Sequence, residues 1–175
     1  GDLVIPDGDA AADLFDATQA MACAAGLPRY EVSNHARAGQ ESRHNLAYWR
    51  YADYAGVGPG AHGRRLEQAT ERHKKPENFV AAVARNGHGL KVESDLPAHE
   101  RATEAMLMGL RLTEGIDLAR IEARSGLSRE AFVDERAVAR LAGQGLMRQD
   151  EDRLAVTDDG ILLLDSILSE VVRTG

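Results

Sequence analysis

The sequence predicts an α+β chain in two units: one helix-to-strand α/β step with a basic, glycine-rich continuation, then a compact helical unit of winged-helix-like order. Three observations predict it. A helical apolar period stops at Gly26-Leu27-Pro28 and feeds the strand-like run Tyr30–Ser33 (YEVS). Glycines at 56, 58, 60 and 63 crowd the middle of the chain. From Pro97 onward, three helical patterns, two short strands and a last helix follow one another with short breaks.

The elements can be justified in order. Leu3–Ile5 is a short apolar piece, and Pro6-Asp7-Gly8-Asp9 is a turn that can supply an N-cap. Leu14, Phe15, Thr18, Met21, Ala22 and Ala25 recur at helical spacing. The strand YEVS follows the Gly/Pro break, and Asn34–Ser42 (NHARAGQES) reads as a polar loop. The glycine run allows a close backbone approach, although its G-x-G-x-G spacing does not match a dinucleotide fingerprint. Arg64–Lys75 is highly charged and is expected to be exposed. Pro76 opens a short helix ended by Asn86-Gly87. His88–Leu96 reads as a linker or an extended crossing, which divides the chain into residues 1–90 and 91–175.

In the second unit Pro97–Leu112 is a helix with apolar positions at 102, 105, 106, 109 and 110. Asp117 caps a second helix to Arg124, and Ser128-Arg129-Glu130 opens a third to about Ala142. Two strands flank the acidic tip Gln149–Asp152. Thr157-Asp158-Asp159 caps a final helix with Ile161, Leu164, Leu168 and Val171 along one face.

Bulk properties exclude several classes. The 175 residues are 43% hydrophobic and 28% charged, ordinary for a globular chain with a real core. The longest apolar run, about Ile161–Leu164, is far short of a membrane span. No basic, apolar leader opens the chain, so a cytoplasmic location is expected. The chain starts at Gly1 in mid-element, which suggests a fragment of a longer protein. Cys23, the only cysteine, is expected to be half-buried and inert; it permits no internal disulfide. The net charge of −7 is uneven. Residues 28–75 carry 9 Lys/Arg against 5 Asp/Glu, and residues 97–175 carry 10 against 15. A basic middle between acidic ends suits an anionic ligand, or simply solvated faces.

The stretch with the most chemistry is "RHNLAYW", residues 43–49. His44 can ligate iron or move protons. Tyr48 and the single Trp49 offer flat apolar area with a polar handle, and Arg43 and Arg50 can pair with carboxylates. A planar, carboxylate-bearing, iron-containing ligand would use them all, and heme fits that description. The competing reading makes Tyr48 and Trp49 core residues and lets His44 satisfy a loop carbonyl. Both stay open on composition alone. His62 is a second histidine candidate; His73, His88 and His99 read as surface residues, and His35 as a solvated loop histidine. Glu31 could face a barrel mouth or simply pair with a cation.

"RYEVSNHARAGQESRHNLAYWRYADYAGVGPGAHG", residues 29–63, resembles the oxygen-independent coproporphyrinogen III oxidase-like radical SAM family. The H-N-x-x-Y-W of His44, Asn45, Tyr48 and Trp49 is similar to the signature of its heme chaperone (HemW-like) branch. "ERATEAMLMGLRLTEGID" and "LAVTDDGILLLDSIL" look like the family's C-terminal domain. The resemblance implies the terminal piece of a partial TIM-type radical SAM barrel followed by a winged-helix-like domain. It implies heme binding with His44 as the iron ligand and Asn45, Tyr48 and Trp49 as pocket residues. It places Gly56, Gly58 and Gly60 on a late barrel strand near S-adenosylmethionine. The family's [4Fe–4S] cluster sits on a C-x-x-x-C-x-x-C motif that this sequence lacks, so cluster and S-adenosylmethionine chemistry belong to the full-length relatives. His35, Ala38, Ser42 and Gly63 depart from residues common in the family.

The leading expectation is a heme chaperone part that passes heme to acceptor proteins, with no catalytic residues of its own. The alternative is a fragment of a porphyrinogen-decarboxylating oxidase. A remote third is a winged-helix nucleic-acid module, but the acidic tip QDED and the acidic second unit argue against phosphate binding. Opened barrel edges would offer a route to a dimer.

Overall fold

The computed structural model describes residues 6–174. The apolar piece expected at Leu3–Ile5 lies outside them. Helix α1 spans Gly8–Ala24, and the Asp7 carboxylate caps it by accepting from the Ala10 N–H at 2.9 Å. None of its residues is buried. The expected apolar face is only partly covered: Leu14 and Met21 are exposed, while the half-buried Phe15 packs against the core.

Strand β1 (Arg29–Glu31) is shorter than the expected YEVS run, because the chain turns back at once into β2 (Asn34–His35). The polar loop expected at 34–42 thus begins as a strand. Arg43–Trp49 forms helix α2. The glycine stretch is irregular between Tyr54 and His62 and is not a strand. The charged segment after it is a hairpin, β3 (His62–Arg65) with β4 (Gln68–Arg72). Leu66 and Glu67 make its turn at φ 48° and 69°. Two positive-φ residues suit a tight two-residue hairpin, usually built with Asn or Gly. Helix α3 (Pro76–Asn86) ends on Gly87 at φ 79°, as the Asn-Gly signal predicts. Residues 90–95 do not link units loosely; Leu90–Asp95 is strand β5, antiparallel to β4.

Helix α4 (Ala98–Gly109) buries Ala102, Met106 and Gly109, matching its apolar spacing. Strand β6 (Ile116–Asp117) runs directly into helix α5 (Leu118–Ser125), which Asp117 caps by accepting from the Arg120 N–H. The helix expected from Ser128 to Ala142 is broken in two. A short 3-10 turn, Arg129–Ala131, precedes helix α6 (Glu135–Gly143), whose new cap is Asp134. The break lets Phe132 and Val133 enter the core, and Val133 bridges to Val172. Strands β7 (Met147–Asp150) and β8 (Arg153–Val156) join β6 in a three-stranded antiparallel sheet of order β6-β8-β7. Residues 161–163 form a 3-10 turn into helix α7 (Leu164–Val171).

The main core lies wholly between Ala102 and Val172, centred on Phe132, Met106, Leu110 and Leu154. Each such side chain contributes about 1.5–3 kcal/mol of burial. The front of the molecule meets this core through the side chains of Phe15 and Val32 and is stitched to it through backbone. The Val32 N–H donates to the Arg111 carbonyl, and the Thr113 N–H donates to the Tyr30 carbonyl, both at 3.1 Å. Glu31 and Leu112 sit opposite each other between those bonds.

Candidate functional site

Helix α2 is started by Ser42, whose hydroxyl accepts from the Asn45 N–H at 3.3 Å. His44 and Tyr48 are four residues apart and share one face; Asn45 and Trp49 share the next. His44 is exposed, and no hydrogen bond to its ring is found among the described residues. The Asn45 side-chain amide donates to the Tyr30 hydroxyl at 3.1 Å, tying α2 to β1. Tyr48 is 37% exposed and meets Trp49 edge-on at 5.4 Å and Tyr54 at 5.8 Å. Trp49 is half-buried, with the Arg111 guanidinium 5.8 Å from its ring. The competing sequence reading is therefore corrected: neither aromatic is a core residue, and His44 satisfies no loop carbonyl.

Arg50 closes the helix and grips Glu114 with two bonds of 2.7 and 2.8 Å. The Arg50 bond holds the Glu114 carboxyl below its ordinary range, and Glu114 in turn raises Arg50.

The glycines answer to backbone geometry. A Cβ at Gly56 would lie 2.1 Å from the His62 carbonyl oxygen, so only glycine permits that approach. Gly58 and Gly60 have φ of 93° and 74°, and the Gly60 N–H donates to the His73 carbonyl.

Among the other candidates, His62 is exposed on β3. His35 is not a solvated loop residue; it lies on β2 with its Nε2 3.0 Å from Gln19 Oε1. His99 is half-buried, within hydrogen-bond distance of the Ala131 carbonyl and the Thr103 hydroxyl. Cys23 is exposed rather than half-buried. Glu31 is buried and pairs with no cation among the described residues; it accepts from the Ser33 N–H and the Asn34 amide. Among the described residues no three His, Cys, Asp or Glu side chains gather as a metal site.

One cluster escaped sequence reasoning. Arg64, expected to be exposed, is 6% exposed. Its backbone pairs with Tyr54 in both directions, which turns the side chain inward. The guanidinium lies 3.5 Å over the Tyr51 ring. Tyr51 sits at φ 53°, a costly conformation for an aromatic. Its hydroxyl donates to Glu104 at 2.6 Å, and Arg64 Nη2 donates to the same carboxylate oxygen at 3.4 Å. Burial, then the Glu104 bond, pushes the Tyr51 phenol far above its usual range, so it stays a donor. The signal that hid Arg64 was its position in a run of charges. Trp49, Tyr51 and Arg64 line a cavity of about 390 Å³; His44, Asn45 and Tyr48 do not.

Comparison with known proteins places this arrangement. Residues 96–163 match the HemN C-terminal domain. The mouse "Radical S-adenosyl methionine domain-containing protein 1, mitochondrial" is 35% identical over 179 residues, covering 96% of this chain and 40% of that protein. The Mycobacterium tuberculosis "Heme chaperone HemW" is 38% identical over 170 residues, covering 96% and 41%. The chain belongs to the HemN/HemW-like radical SAM family. A solved structure titled "Coproporphyrinogen III oxidase (HemN) from Escherichia coli is a Radical SAM enzyme" superposes with a TM-score of 0.68 at 20% identity, covering 94% of this chain and 41% of that one. This likeness shows the mixed helix-and-sheet fold of part of HemN. The HemN/HemW-like chain spans about two-fifths of the length of the curated relatives it matches. Among its described residues no helix is long and apolar enough to cross a membrane.

Proposed function

We propose that this chain is the heme-holding part of a HemN/HemW-like heme chaperone, with His44 as the axial iron ligand. One observation carries the reading: the imidazole of His44 is exposed and uncommitted, one helical turn from the exposed edge of Tyr48. Several relatives named as heme chaperones, 31–38% identical, support the same role. The donor set fits heme treated as cargo. His44 would hold the iron, Tyr48 and Trp49 would flank the ring, and the exposed Arg43 would meet a carboxylate. Asn45 fixes the helix through Tyr30. Iron ligation is the chemistry the imidazole supplies; the chain's residues bind and orient. Transfer to acceptor proteins, dimerisation and a cytoplasmic setting belong to the same proposal.

With one cysteine, this chain cannot hold a cluster, so [4Fe–4S] and S-adenosylmethionine chemistry is assigned to the rest of the full-length protein. The Gly56, Gly58 and Gly60 loop stays a proposed neighbour of that cofactor. Residues 1–90 are read as the end of a partial barrel. Residues 91–175 are read as winged-helix-like from the order α4, β6, α5, α6, β7, β8, α7. The second reading, an oxidase fragment, is favoured by the HemN C-terminal domain match and the HemN fold.

Titration of ferric heme into the chain, followed at the Soret band, tests the first reading. Binding that is lost in His44→Ala supports it. Equal binding by both proteins removes His44 as the ligand. If neither binds, the same titration on the full-length protein decides: binding there that His44→Ala abolishes keeps the reading, and any other result rejects it.

A further inference from the structure

The cavity behind α2 is built for something other than the His44 face. Its walls come from the α2–β3 connection, α4 and α5. One side is apolar, formed by Ala102, Ala105 and Ile121 with the Trp49 ring. The other side carries six arginines, more than the four carboxylates of Asp53, Glu67, Glu114 and Asp117, and a buried donor on one arginine is unmatched among the described residues. Arg64 is buried in the wall, and its Nη1 has no hydrogen-bond partner among the described residues. A buried unpaired guanidinium N–H is costly and calls for an acceptor. Arg120 lies exposed on the rim, and no ion pair of its side chain is found among the described residues. Arg50, Arg101 and Arg124 also reach the cavity, where Glu114, Glu67 and Asp53 respectively pair with them, and Arg153 reaches it while donating to the Glu114 carbonyl.

The strained Tyr51 backbone serves this arrangement. It lays the phenol ring under Arg64 and anchors it through Glu104, which fixes the guanidinium plane. With Nη2 committed to Glu104, the held guanidinium keeps one charge-assisted donor, Nη1, for an incoming carboxylate oxygen. An apolar wall beside a fixed cationic donor suits an amphipathic anion.

We infer that this cavity is a binding site for an organic carboxylate with an apolar body, its carboxylate held by Arg64 and Arg120 and its body lying against Trp49. The site is separate from the axial-ligand face, since His44 does not line it. The two sites share Trp49, but the cavity's proposed anchors, Arg64 and Arg120, take no part in the heme reading, so variants at those two arginines test the cavity apart from the heme titration.

Trp49 is the only tryptophan, so its indole N–H gives a single assignable cross-peak in a ¹⁵N–¹H spectrum, and with no heme present a shift in it reads this wall. The probes are cyclohexanecarboxylate, its neutral counterpart cyclohexylmethanol, and inorganic phosphate. The carboxylate is expected to shift the Trp49 peak saturably, with at least fivefold higher affinity than the alcohol or phosphate. Arg64→Met should weaken it about tenfold or more. Arg120→Gln, an exposed substitution that leaves the fold intact, should weaken it several-fold and serves if Arg64→Met does not fold. The proposal is overturned if the alcohol binds as well as the carboxylate, if phosphate binds as well, if Arg120→Gln and any folded Arg64→Met bind like the parent chain, or if none of the three probes moves the peak.

Discussion

Residues 6–95 and residues 96–174 bury different chemistry. In the second stretch the buried side chains are apolar, and most of them form one cluster. In the first, the only buried apolar side chains are Tyr51 and Ala82, and the buried polar ones, Glu31 and Arg64, both lie there. One part spends its burial on stability, while the other holds polar groups in fixed places. The second thus acts as the platform on which α2 and Arg64 are mounted, through Arg50–Glu114 and Arg64–Glu104.

The contrast can be broken most directly at Phe132, which is fully buried. Phe132→Ala should cost about 3–5 kcal/mol by chemical denaturation. It should also release the front, so near-ultraviolet signals from Trp49 and the tyrosines should be lost in the same transition; a separate transition would show that the front stands alone. Gly115 lies at φ 68°, and a Cβ there would meet the Leu154 carbonyl oxygen at 2.2 Å. Gly115→Ala should cost about 1–3 kcal/mol and be felt in both parts, because this loop carries the Arg50–Glu114 contact. Asp117→Ala removes the α5 cap and should cost about 1 kcal/mol in the same assay.

Acid sharpens the contrast at the joint. The Glu114 carboxyl is held below its ordinary 4.5, so its stabilisation is complete above that value and drains away as pH falls through the lowered one. A pH series of melting temperatures should steepen below about pH 4.5, and Glu114→Gln should flatten part of that slope. The smallest effect belongs to His44→Ala. The side chain is exposed and uncommitted, so stability should change by less than about 0.5 kcal/mol while heme binding is lost.

The two parts also differed in how far the sequence revealed them. Helices α4, α5 and α7 follow their apolar period, because one face of each meets the core, and α5 keeps its expected Asp117 cap. The cap expected at Thr157-Asp158-Asp159 is not used, since a 3-10 turn intervenes and α7 starts at Leu164 with no side-chain cap. The break at Phe132–Asp134 was hidden, since two apolar residues fit a helix pattern as well as they fit a turn entering the core. The β3–β4 hairpin was hidden for a different reason: its tight turn uses Leu66 and Glu67 where Asn or Gly would announce it. Without the turn, the strand pairing that buries Arg64 reads as a charge run. The motif residues His44 to Trp49 were found by type and spacing. That Trp49 faces a cavity and His44 does not depends on how α2 packs against α4, which no local pattern encodes.

The backbone bonds between Tyr30–Val32 and Arg111–Thr113 have a consequence for heredity and for engineering. A recombination joint placed near residue 95 would cut the chain at a tolerant-looking spot, yet it would hand the new partner a strand whose main-chain donors and acceptors match nothing. Side chains at such a seam can be redesigned one at a time; a peptide ladder must be inherited whole. The two parts of this chain are therefore expected to travel through evolution as one unit, and chimeras exchanged at that joint should assemble only when residues 30–32 and 111–113 come from the same parent.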